Sequence, residues 1–104
     1  MKLVRDKIPQ LIKGDGQWCL MRTVSDSDEH ANLLRDKIIE EADEFVAEPS
    51  YEEAADILEV LRAFCHLNNL DWRQVVKAAD KKQYTHGGFF RGIVLQEVGK
   101  NESG

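Results

Sequence analysis

The apolar positions along the chain recur with the period of an α-helix in three long stretches. They predict three helices, over residues 27–47, 50 to about 69, and 71 to about 84. The first stretch opens on Asp26 with Glu29 three residues later, a pattern similar to a capping box. The second opens on Ser50 with Glu53, a Ser-x-x-Glu capping box directly after Pro49. These start signals place the helix boundaries.

The two ends of the chain carry shorter patterns. Residues 2–13 predict a brief helix that ends near Gly14, with Asp6 as its cap. Residues 18–24 and 89–98 contain short apolar runs typical of strands, and together they predict a small two-stranded β ribbon. The predicted fold class is therefore all-α, a helical bundle that carries this ribbon at one end.

Composition indicates a soluble globular protein, since 42% of its 104 residues are hydrophobic and 32% are charged. The length predicts a single domain over residues 1–104. No apolar run is long enough to span a membrane, so no membrane partner is expected. Cys19 and Cys65 have neither zinc-site spacing nor the density of a disulfide scaffold, which predicts a reducing, cytoplasmic location. A net charge of −5 argues against binding to a nucleic-acid polymer.

The acidic residues are concentrated in the middle of the chain. Nine carboxylates and no Lys or Arg lie between Lys37 and Arg62. They are Glu40, Glu41, Asp43, Glu44, Glu48, Glu52, Glu53, Asp56 and Glu59. The rest of the chain is net basic, which suits a site that holds a cation and an anion together. Two solvated helix faces are the alternative explanation.

Some of these carboxylates fall on the apolar sides of their helices. On a helical wheel Glu41 lies in the middle of the stripe of the first long helix, and Glu44 flanks that stripe. Glu53 and Asp56 lie on the apolar arc of the second. A surface helix normally turns its acids away from the core. We therefore expect each helix to direct one pair of acids, three residues apart, toward the interior.

Buried carboxylates need a compensating charge, because each unpaired one costs several kcal/mol. Oxygen-only ligands suit Mg²⁺, or Mn²⁺ as an alternative. The predicted metal ligands are Glu41, Glu44, Glu53 and Asp56. Other roles remain open for these acids. Glu53 can serve only as the capping partner of Ser50. Glu44 and Asp56 can lie at the rim of a seam between helices and pair with Lys or Arg of a partner chain.

The spacing of the four acids resembles the signature of the MazG-like all-α NTP pyrophosphatases. In this chain it is Glu41-x-x-Glu44, then eight residues, then Glu53-x-x-Asp56. That superfamily includes the dimeric dUTPases and phosphoribosyl-ATP pyrophosphohydrolase. Further segments resemble the phosphoribosyl-ATP pyrophosphohydrolase-like subgroup. They are the opening run from Lys2 to Pro9, the run Gly87-Gly88-Phe89, and the run from Gly92 to Leu95.

The resemblance implies a helical protein that forms a homodimer or homotetramer, with magnesium on the four acids. It also implies hydrolysis of the α–β phosphoanhydride of a nucleotide, giving a nucleoside monophosphate and pyrophosphate. Glu40 stands where relatives carry a further Glu, which makes it the candidate to activate water. Close relatives tend to have an Arg shortly before Gly-Gly-Phe, whereas this chain has Thr85-His86.

Basic residues supply candidates for binding the substrate's phosphates. They are Lys37, Lys77, Lys81, Lys82 and Arg91. The three lysines of the third helix serve equally well as an exposed basic end that complements the helix dipole. The leading hypothesis is a magnesium-dependent nucleoside triphosphate pyrophosphohydrolase of the house-cleaning type. Phosphoribosyl-ATP or dUTP is an alternative substrate, and a non-catalytic helical oligomerisation or regulatory module is an alternative class.

Overall fold

The computed structural model describes residues 2–101, which form four helices and no strand. The helices are α1 (Ile8–Gly14), α2 (Ser27–Ala47), α3 (Tyr51–Leu67) and α4 (Trp72–His86). The predicted all-α class is confirmed. The three long helices lie where the hydrophobic periodicity predicts them, and α2 has the predicted bounds.

Side-chain caps fix the starts of α2 and α3. The side chain of Asp26 accepts a hydrogen bond of 2.9 Å from the backbone N–H of Asp28. The Oγ of Ser50 accepts one of 3.1 Å from the backbone N–H of Glu53. Each bond satisfies a donor that the first turn of a helix leaves without a partner. The capping signals in the sequence therefore mark real helix starts.

Helices α2 and α3 pack against each other. Only residues 48–50 separate them, and so short a connection makes consecutive helices antiparallel. Leu34 and Glu41, both on α2, are the two buried residues of the part of the chain that the structure describes. The seam between the two helices thus combines an apolar contact with a buried acid.

The chain divides into two compact units between Trp72 and Arg73. The first unit contains α1, α2 and α3, and the second begins with nearly all of α4. The prediction of a single domain over residues 1–104 stays a prediction. No helix in residues 2–101 is long and apolar enough to cross a membrane.

The predicted β ribbon is wrong for the described chain. Residues 18–24 and 89–98 contain no strand, and the side chains of Trp18, Leu20 and Val94 are largely exposed. A two-stranded ribbon is marginal by itself and needs a surface on which to bury one face. Because these side chains lie in solvent, the short apolar runs lack that support.

The predicted cap of α1 is also wrong. Lys7, not Asp6, is the N-cap residue, and its side chain makes no capping hydrogen bond. A backbone bond of 3.0 Å from the N–H of Ile8 to the carbonyl of Arg5 starts the turn instead. Pro9 then lies in the first turn, where its missing N–H costs nothing.

Replacing Ser50 by Ala removes the cap of α3, and we expect the free energy of unfolding to fall by about 1 kcal/mol. Urea unfolding followed by circular dichroism measures the change. Ser27→Ala is the matched control, because Asp26 caps α2 and Ser27 is already inside the helix. Equal stability of the two variants would contradict a capping role for Ser50.

Candidate metal centre

Three of the four predicted ligands come together between α2 and α3. One carboxylate oxygen from each of Glu41, Glu53 and Asp56 lies within 4.8 Å of the other two. Glu41 belongs to α2, Glu53 lies in the first turn of α3, and Asp56 follows three residues later. Residues three apart share a helix face, so the packing of α2 on α3 turns both α3 acids toward Glu41.

Two oxygens of this cluster are buried without any hydrogen-bond partner. They are Oε2 of Glu41 and Oε2 of Glu53. The side chain of Glu41 is only 7% exposed, so water reaches it poorly. An unsatisfied buried group costs about 1–3 kcal/mol, and more when it is charged. The seam therefore contains an unbalanced electrostatic cost that a bound cation would relieve.

The donor set suits a hard divalent cation. All three groups offer oxygen, which Mg²⁺ and Mn²⁺ prefer over nitrogen or sulfur. Ligands on opposite sides of one Mg²⁺ are about 4.2 Å apart, because each bond is about 2.1 Å long. The three oxygens lie within 4.8 Å of one another, so side-chain shifts of a few tenths of an ångström bring them to the separations that a single ion requires. The residues present thus fit the predicted metal.

The backbone and the side chain of Glu53 have different environments. Its backbone N–H donates to Ser50, as a capping box requires, while its carboxylate Oε2 has no partner. The cap accounts for the backbone and not for the side chain. The carboxylate is therefore available to a ligand while the helix start remains intact.

Two basic residues of the same chain contact the cluster directly. Arg5 Nη2 lies 2.7 Å from Asp56 Oδ1, and Lys37 Nζ lies 3.2 Å from Glu41 Oε1. Asp56 thus pairs with an arginine from its own N-terminal segment, whereas sequence reasoning allowed a partner chain for that role. These pairs neutralise Asp56 and one oxygen of Glu41, and they leave the two orphaned oxygens untouched.

Glu40, the candidate base, lies beside the cluster in a basic setting. Its Oε1 is 3.1 Å from Lys2 Nζ, and its Oε2 is 3.4 Å from Lys37 Nζ. The hydrogen bond from Lys2, helped by the nearby charge of Lys37, holds the pKa of Glu40 below its ordinary value. Burial works to lower the pKa of Lys37, but its hydrogen bonds to Glu41 and Glu40 outweigh that effect and the pKa is raised. Both groups are charged at neutral pH.

Glu44 differs from the expectation that it points into the interior. It is exposed, and it does not join the three closely spaced oxygens. Three residues turn a helix by about 300°, which moves Glu44 about 60° around α2 from Glu41 and toward the rim. The charge of Glu41, followed by partial desolvation and the charges of Glu53 and Glu40, raises the pKa of Glu44. The cluster repels further negative charge.

The other predicted phosphate-binding residues belong to the second unit. Lys77, Lys81 and Lys82 are exposed on α4, and Arg91 is exposed beyond it. Their role in binding a substrate stays a prediction.

Sequence reasoning missed two cations at the cluster, Lys2 and Arg5. Both lie in the charged run that opens the chain, before α1, and Arg5 is 51 residues from its partner Asp56. Helical periodicity relates only residues of one helix and gives no information on such a contact. The available signal was the concentration of basic residues just before Pro9, in a chain whose middle is strongly acidic.

Comparison with known proteins adds no assignment. No protein-family model matches the chain, and no curated protein and no solved structure is significantly similar to it. The functional interpretation therefore rests on the residues and their geometry.

Replacing Glu53 by Gln removes a buried charge that has an unpartnered oxygen. Without divalent ions we expect this variant to be about 1 kcal/mol more stable than the control Glu52→Gln. The control is matched because Glu52 is exposed and lies in the same first turn, so both variants lose the same favourable contact with the helix dipole.

Urea unfolding in the presence of EDTA measures this difference. If Glu53→Gln were no more stable than Glu52→Gln, the carboxylate of Glu53 would carry no electrostatic cost, and the reason for a cation at this place would be lost.

Proposed function

We propose that the protein is a magnesium-dependent nucleoside triphosphate pyrophosphohydrolase. It cleaves the α–β phosphoanhydride and releases a nucleoside monophosphate and pyrophosphate. The observation that carries the proposal is the close approach of carboxylate oxygens from Glu41, Glu53 and Asp56. Two of these residues, Glu41 and Glu53, each have a buried oxygen without a hydrogen-bond partner. The resemblance of the acid spacing to the MazG-like superfamily supplies the reaction.

The proposed metal ligands are Glu41, Glu53 and Asp56, with Glu44 as an outer fourth. A bound magnesium ion, or manganese in its place, supplies charge neutralisation along the phosphates and lowers the pKa of a water molecule. Glu44 is exposed, but it lies near enough to Glu41 and Glu53 for their charges to raise its pKa. This proximity supports its inclusion among the proposed ligands.

Glu40 accepts the proton that hydrolysis releases. In the reaction, a water oxygen bonds to the α-phosphorus while the bond to the bridging oxygen breaks, and one proton leaves the water. Lys2 and Lys37 each pair with one oxygen of Glu40 and keep it ionised at neutral pH, which is the state of a carboxylate that accepts a proton. Lys37 also contacts Glu41, and it thereby holds the candidate base beside a metal ligand.

Calorimetric titration with magnesium tests the metal site. We expect the wild-type chain to bind Mg²⁺ at up to millimolar concentration and Glu41→Gln/Asp56→Asn to lose that binding. Asp43→Asn/Glu52→Gln is the matched control, because it removes one acid from α2 and one from α3 at exposed positions. Absence of binding, or equal binding by the two double variants, would defeat the enzyme proposal and favour the alternative of a non-catalytic helical module.

A panel of nucleoside triphosphates, with dUTP and phosphoribosyl-ATP included, tests the reaction itself. We expect phosphorus NMR to detect pyrophosphate and a nucleoside monophosphate, and removal of magnesium with EDTA to stop their formation. Release of single phosphates would contradict cleavage between the α and β phosphorus atoms. The rates across the panel rank the candidate substrates.

Self-association is part of the proposal. Leu34 is the only buried apolar residue among residues 2–101, which is a small core for two packed helices. Ile39 and Val46 lie seven residues apart on one face of α2, and they are 56% and 79% exposed. Leu58 and Leu61 are exposed together on α3. A homodimer or homotetramer would cover such faces.

Sedimentation equilibrium tests the assembly. We expect the wild-type chain to sediment as a dimer or tetramer and Ile39→Asp/Val46→Asp to sediment as a monomer, because two charges cannot be buried in an apolar interface. Leu20→Asp/Val94→Asp is the control, with the same added charge at exposed positions outside the helices. A monomeric wild type would contradict this part of the proposal.

A further inference from the structure

Arg5 holds one oxygen of the proposed metal cluster. Its Nη2 lies 2.7 Å from Oδ1 of Asp56. A divalent ion that uses Asp56 as a ligand competes with this guanidinium for the same carboxylate. Arg5 is 56% exposed, whereas Lys37, the other cation on the three-acid cluster, is only 18% exposed. Arg5 is therefore the cation that has room to move away.

The charges around the cluster favour such an exchange. Among residues 2–101, five carboxylates interact there with three cations. The carboxylates are Glu40, Glu41, Glu44, Glu53 and Asp56, and the cations are Lys2, Arg5 and Lys37. With Lys2 and Lys37 in place, Arg5 faces three net negative charges, which one bound divalent ion reduces to one. The attraction of the cluster for Arg5 is then weaker.

Arg5 also lines a groove in the first unit. The groove has a volume of about 750 Å³, and its walls come from residues 2–6, α1, residues 19–24 and α2. Small-molecule sites usually have volumes of about 300–1,000 Å³ and mostly apolar walls with a few polar groups. A guanidinium released from Asp56 thus remains at the wall of a space large enough for a nucleoside.

We propose that a divalent ion displaces Arg5 from Asp56, and that the freed guanidinium binds the phosphates of a nucleotide whose nucleoside part occupies this groove. This inference rests on the proposed function and assigns it a phosphate-binding residue and a nucleoside pocket. The planar fork of a guanidinium matches a phosphate in two hydrogen bonds, which a lysine does not. Metal binding and nucleotide binding then favour each other, since the first releases the residue that the second needs.

Isothermal titration calorimetry on the full chain tests the exchange with two probes, Mg²⁺ alone and α,β-methylene-ATP in saturating Mg²⁺. We expect Arg5→Gln to bind Mg²⁺ alone about threefold more tightly, because a competing positive charge is gone. We expect the same variant to bind the nucleotide analogue about tenfold more weakly. A residue that served only to hold the N-terminal segment would not change the two affinities in opposite directions.

Two further variants complete the test. Arg35→Gln is the matched control, because Arg35 pairs with the exposed Asp36 and lies about 120° around α2 from Glu41. We expect it to leave both affinities unchanged. Arg5→Lys keeps the charge and loses the fork, so we expect near-normal Mg²⁺ affinity and weakened binding of the analogue. It also serves as the test if circular dichroism shows that Arg5→Gln is unfolded.

The outcomes separate the two proposals. Failure of the wild-type chain to bind Mg²⁺ would overturn the proposed function and this inference with it. Normal Mg²⁺ binding by the wild type, with unchanged or weaker Mg²⁺ binding in Arg5→Gln, would overturn the exchange alone. Undiminished binding of the analogue by both Arg5 variants would overturn the phosphate-binding role and leave the metal site standing.

Discussion

Burial of the carboxylates of Glu41 and Glu53 between α2 and α3 is the constraint on which the rest of the site depends. An ionised carboxylate inside a helix seam loses its hydration and must find positive charge or hydrogen-bond donors. Lys37 contacts one oxygen of Glu41, yet the Oε2 atoms of both glutamates have no partner. That unmet demand for positive charge is the physical basis of the proposed cation site.

The geometry of the cluster follows from how α3 begins. Ser50 caps the helix through the backbone of Glu53, so the register of the first turn is fixed and the two acids of α3 face α2. The short connection after Ala47 keeps the start of α3 close to the acidic end of α2. The backbone of Glu53 thus takes part in the helix cap, while its side chain remains available to a ligand.

The acid cluster and the proposed self-association have a common origin in the small core. Leu34 is the one buried apolar residue in residues 2–101, and the carboxylate-bearing Glu41 is the other buried residue. A helix hairpin that uses part of its interior for acids buries less apolar surface and is correspondingly less stable. Association of subunits is one physical means of recovering that stability, and the exposed apolar faces of α2 and α3 are suited to it.

The sequence by itself determined the three long helices, the caps of α2 and α3 and the presence of acids on apolar faces, because periodicity and capping are relations between residues a few positions apart. It predicted the approximate bounds of α2 and correctly placed Glu41 inside. It was wrong on the β ribbon, since a strand depends on a partner that local pattern does not supply. Only the tertiary structure decided that Glu44 lies at the rim and that Lys2 and Arg5 reach the acids. Those features depend on contacts between segments far apart in the chain, which arise only once α3 has packed on α2.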